Sequence, residues 1–92
     1  MSDREIEALV THEFPWLAER RLNVIVPDQY PELRYVTILD EQGQPLVGGP
    51  AYVVSPEAQQ VFEVSASRPP RANLEKARQQ FYEIGGGPET VS

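Results

Sequence analysis

The chain has 92 residues, 40% of them hydrophobic and 24% charged, with no cysteine, one histidine and a formal net charge of −6. That length suits a single domain with a thin core, because a chain of this size hides only about two thirds of its unfolded surface on folding. The missing thiols exclude a disulfide framework, a thiolate nucleophile and a zinc site of cysteine and histidine, and the acidic balance argues against nucleic acid and anionic membranes as partners.

The N-terminus, Met1-Ser2-Asp3-Arg4-Glu5, carries neither a basic n-region nor an apolar h-region, and no run approaches the roughly eighteen apolar residues that span a bilayer. The expected location is therefore the cytoplasm. Ser2 and Glu5 have the spacing of a capping box, and Ile6, Leu9, Val10, Phe14 and Leu17 recur at three- and four-residue intervals. A helix is expected to start here. Pro15 interrupts the stripe, since it cannot donate to the carbonyl of Thr11, and predicts a kink or two abutting helical pieces.

Leu22 to Val26, rich in β-branched residues and closed by Pro27, reads as a first strand, and Leu33 to Leu39 as a second. Between them Pro27-Asp28-Gln29-Tyr30-Pro31-Glu32 has the composition of a stiff acidic loop. Asp40-Glu41-Gln42-Gly43 is a turn, and Gly48-Gly49-Pro50 introduces a third strand over 51–54. After the turn at Ser55-Pro56-Glu57-Ala58, a fourth strand over 61–66 places Phe62 and Val64 inward, and the last two strands form an antiparallel hairpin.

Arg68-Pro69-Pro70-Arg71 reads as a stiff connection, followed by a helix capped at Asn73 with Leu74, Ala77, Phe81 and Ile84 along one stripe. Gly85 stops it. The expected organisation is one α+β domain over residues 1–85 and a flexible C-terminal tail over 86–92. Its architecture is an N-terminal helix, a four-stranded, mainly antiparallel sheet and a C-terminal helix, with both helices on one face.

Motifs that carry chemistry are scarce. His12 lies in a helix with no G-x-S-x-G elbow elsewhere in the chain; Gly48-Gly49 runs into a strand rather than a helix N-terminus; EF-hand and His-x-x-x-His spacings are missing. Acidic loop residues, Asp28 with Glu32 or Asp40 with Glu41, are the nearest thing to an acid-base or metal-binding pair, and turn chemistry already accounts for Asp40. The basic cluster Arg68, Arg71, Lys76 and Arg78 lacks interleaved aromatics. No catalytic residue, metal or cofactor is therefore expected, and binding to another protein is.

The features suited to binding lie in the first half, where residues 1–46 hold nine acidic and four basic groups. They are Asp28, Tyr30 and Glu32 in the Pro-bounded loop and the acidic turn at Asp40 and Glu41, which together would steer a basic partner. Trp16, beside Pro15 on the flank of the apolar stripe, is expected more as core than as contact, yet tryptophan is also a favoured interface anchor and stays among the candidates.

The segment Leu46-Val47-Gly48-Gly49-Pro50-Ala51-Tyr52-Val53-Val54-Ser55, continuing through Val61-Phe62-Glu63-Val64 to Ser67 and Pro69, resembles the C-terminal half of the immunity protein 35 family, the YrhB-like domains. The likeness covers about forty residues; the first half agrees only in its order of helix, strand and strand. It implies a small bacterial α+β protein, encoded beside a toxin, that protects the producing cell by binding and occluding that toxin. No catalytic residue is carried over, and Gly48, Pro50 and Pro69 match as structural positions. A small chaperone or adaptor binding protein clients is the competing expectation, followed by a small hydrolase working between Asp28 and Asp40.

Overall fold

The computed structural model describes residues 2–46 and 48–84. Helix α1, Asp3–Glu13, begins at the expected capping box: the Ser2 hydroxyl accepts from the Glu5 amide, and the Glu5 carboxylate accepts from the Ser2 amide at 2.8 Å. These bonds favour the ionised carboxylate and hold the Glu5 pKa below its ordinary value. At Pro15 the helix gives way to a short 3-10 segment, Pro15–Glu19, so the proline does divide the helical stripe into two abutting pieces.

Four strands follow, β1 (Arg21–Ile25), β2 (Arg34–Leu39), β3 (Pro50–Ser55) and β4 (Gln60–Ser65), then helix α2 (Pro70–Ile84). The strands lie in the order β1-β2-β3-β4, every neighbouring pair antiparallel. This is the expected α+β fold. Helix α2 starts three residues before the expected cap, because Pro70 has a backbone suited to a first helical turn and needs no hydrogen-bond partner for its nitrogen. The expected tail over 86–92 lies outside the described residues.

One expectation about the layers is overturned. The helices do not share a face: α1 and the 3-10 segment pack through Ile6, Val10 and Leu17 on Val36, Ile38, Tyr52 and Val54, whereas α2 packs through Leu74, Ala77 and Phe81 on Tyr35, Ala51, Val53 and Val64. The physical reason lies in β3, where Ala51 through Ser55 are all buried. A strand apolar on both sides needs a layer on each side, since side chains alternate between the faces.

Asn73 ties the α2 layer to the sheet. It is 1% exposed, and its side-chain amide donates to the Tyr35 hydroxyl at 3.1 Å and to the Ser65 carbonyl at 2.7 Å. Far from ending a helix in solvent, it satisfies two sheet acceptors that α2 would otherwise cover. We expect Asn73→Ala to lower stability by about 2 kcal/mol, because two buried acceptors lose their donor. In thermal unfolding that is a fall of roughly 10 °C for a domain of this size, and a fall under about 2 °C would show that these bonds do not hold the layer.

On the α1 face Tyr52 is fully buried, with its ring 4.9 Å from that of Phe14 and its hydroxyl donating to the Glu63 carboxylate at 3.4 Å. Burial, with the neighbouring Glu63 charge, pushes its pKa up to about 12 from 10.0. The folded state thus holds the proton more tightly than the unfolded one. That contribution to stability is complete below pH 10.0 and is lost as the pH rises towards about 12. Absorbance titration at 295 nm should show one late-ionising tyrosine that Tyr52→Phe removes; an unchanged alkaline limb in the variant would refute the assignment.

Candidate functional site

The acidic residues expected to form a binding surface fall into two groups that the sheet holds apart. Because β1 and β2 are antiparallel, with Ile25 opposite Tyr35 and Arg21 opposite Leu39, the loop after Ile25 and the turn after Leu39 emerge at opposite ends of the strands. A six-residue strand separates them by about 20 Å. Asp28, Tyr30 and Glu32 therefore sit at one end of the sheet and Asp40 and Glu41 at the other. No small ligand bridges Asp28 and Asp40 across that distance, which removes the geometry expected of a hydrolase built on this pair.

At the first end the loop is fastened to α2. Tyr30 is half-buried against the α2 cluster, with its hydroxyl 3.5 Å from the Glu75 carboxylate and the Arg78 guanidinium 5.6 Å from its ring centroid. Glu32 faces the same Arg78 at 3.7 Å. Within the loop, the Leu33 amide donates to the Tyr30 carbonyl, and the Arg34 guanidinium donates to the carbonyls of Pro31 and Leu33 at 2.8 Å each. Tyr30 and Glu32 thus spend much of their surface holding the loop on the helix. Asp28 remains exposed.

At the other end the residues converge on an open cleft of about 430 Å³, lined by Glu19, Arg20, Arg21, Leu39, Asp40, Glu41 and Leu46. The 3-10 segment supplies one wall and the Asp40–Gln44 turn the other. The Asp40 carboxylate accepts from the amides of Gln42 and Gln44 at 2.9 Å each, while Gly43 takes a φ of 82° that disfavours any residue with a side chain. Asp40 is committed to the turn, and Glu41 beside it is exposed.

Trp16 departs from the expectation of a core residue. It is 48% exposed, with the Arg20 guanidinium 5.9 Å from its ring centroid. The local cause is Pro15: the 3-10 geometry after it turns Leu17, not Trp16, into the core. Leu46, 38% exposed, is an apolar group on the cleft wall. Sequence reasoning passed over Glu19 and Leu46; both follow from the antiparallel register, which brings the end of the 3-10 segment beside the end of β2.

His12 is exposed on the last turn of α1, and among the described residues no group of three or more His, Cys, Asp or Glu is placed to hold a metal ion. No described helix is long and apolar enough to cross a membrane. The division of labour in the acidic turn is testable by urea unfolding. Asp40→Ala should cost about 1 kcal/mol through the two lost amide bonds. Glu41→Ala should stay within about 0.5 kcal/mol of the parent, and equal effects would contradict the distinction.

No protein-family model, curated protein or solved structure matches this chain. The expected hairpin is present in the fold, with Pro50–Ser55 paired with Gln60–Ser65.

Proposed function

We propose that this chain is an immunity protein that binds a cognate bacterial toxin with a basic surface and neutralises it by occlusion, using the end of the sheet that carries Trp16, Glu41 and Leu46. The observation that carries the reading is a half-exposed tryptophan on the 3-10 segment whose last residue, Glu19, lines a cleft with Asp40 and Glu41 beside Arg20 and Arg21. Interfaces draw most of their energy from a few aromatic anchors surrounded by polar groups, and tryptophan is among the most favoured. A net charge of −6 supports approach to a basic cleft by electrostatic steering. The resemblance of residues 46–84 to the immunity family supplies the class of partner.

Of the two acidic groups, the Asp40 end suits this role better, since Tyr30 and Glu32 are already engaged with α2. Asp28 and Glu32 then contribute to the long-range field rather than to contact. A chaperone-like reading draws on the same exposed apolar groups, but predicts weak binding to many unfolded clients instead of tight binding to one folded partner.

The test is to express the toxin encoded beside this gene and measure protection and complex formation. Trp16→Ala should weaken binding by about 2 kcal/mol, roughly thirtyfold, and Glu41→Lys should slow association and flatten its salt dependence. Absence of both binding and protection would defeat the proposal. Suppression of aggregation of unrelated clients, without a specific toxin, would favour the chaperone reading instead.

A further inference from the structure

Strand β1 is an edge strand, and among the described residues no other strand pairs with its outer side. Sheet proteins usually protect such edges with a bulge, an internal proline or an inward-pointing charge, because the free amides and carbonyls invite another strand. Over Arg21–Ile25 there is no proline, and the pairing with β2 runs without a bulge. Of the four large hydrophobic residues exposed among the described residues, two lie on this strand or directly after it: Ile25 at 42% and Val26 at 52%. Helix α2 packs on the β3 and β4 side of its face, leaving Arg21, Asn23 and Ile25 open to solvent. The opposite edge differs, since β4 carries the exposed carboxylate of Glu63 in mid-strand.

We propose that β1 pairs with β1 of a second copy of this chain, antiparallel about a two-fold axis at Val24, to give a continuous eight-stranded sheet. The strand's own sequence selects this occupant. An antiparallel pairing that keeps both faces in line must match residues of the same parity, so the axis falls on a residue. With the axis on Val24, Leu22 meets Val26 of the second copy and Asn23 meets Ile25. The basic Arg20 then meets the acidic Asp28, and symmetry repeats each match on the other side. No like charges face each other along the seam. An axis on Asn23 would still match Leu22 with Val24, but it would set Arg20 against Val26 and Arg21 against Ile25 and so lose the charge match. Leu22 and Val24, half-buried on the α1 face, would be covered by the same pairing. Pro27, which has no N–H, ends the ladder on each side. This inference does not rest on the toxin-binding reading.

Sedimentation analysis of the full chain over a concentration series tests it, with circular dichroism confirming that each variant is folded. The parent should shift from monomer to dimer as concentration rises. Arg20→Glu and Asp28→Arg should each weaken the dimer about tenfold, because the two-fold axis places every substitution in the seam twice and creates like-charge contacts. The double variant, R20E with D28R, restores opposite charges and should recover the parent's dimerisation to within about threefold. A parent that stays monomeric at every concentration overturns the proposal. So does a dimer indifferent to the single charge reversals, or one that the double variant fails to recover.

Discussion

Burial of the sheet's central strands on both faces is the constraint from which the rest of this structure follows. In β3 the side chains of Ala51, Val53, Tyr52 and Val54 alternate between two clusters, and in β2 Tyr35 and Val36 do the same. Burying a side chain of this size yields about 1.5–3 kcal/mol, so leaving either face wet would forfeit a large share of a small domain's net stability. The two helices are therefore not interchangeable cover on one side. Each closes a different core, and the sheet is the shared wall.

Two polar groups drawn into those cores find partners across the sheet, while the Asn73 Oδ1 and the Thr37 hydroxyl are buried without a hydrogen bond. Asn73 meets two acceptors across the α2 face, and Tyr52 meets Glu63 directly opposite it in the β3–β4 register. Such pairings also specify the register, because a one-residue slip of β4 would turn the Glu63 carboxylate towards the α2 cluster and Phe62 away from Phe81, whose ring lies 6.5 Å from it.

Much of this was legible in the residues. Ser2 and Glu5, the proline at position 15, the alternating runs and the glycine turn at Gly43 each have one dominant local physical meaning, and each appears in the fold where that meaning puts it. The layer assignment failed for a readable reason: Ala51-Tyr52-Val53-Val54 is apolar without alternation, the mark of a strand covered twice. Asn73 misled because its type favours caps, and only tertiary context shows its amide turned towards the sheet. The acidic residues were the hardest to place. Composition summed two groups into one negative half, whereas strand direction puts them at opposite ends, with Glu32 of one group paired to Arg78 of α2.

The strand order has a kinetic meaning as well. Each strand pairs with its immediate predecessor, so the sheet closes through short loops whose entropic cost is small, and a meander of this kind belongs among the faster-folding sheet topologies. Helix α1 is different. The cluster beneath it includes Val61 of β4, so α1, synthesised before the strands, cannot complete its seat until β4 has been laid down. During synthesis the amphipathic face of α1 waits through more than half the chain, and that interval is where this protein is most open to misassociation.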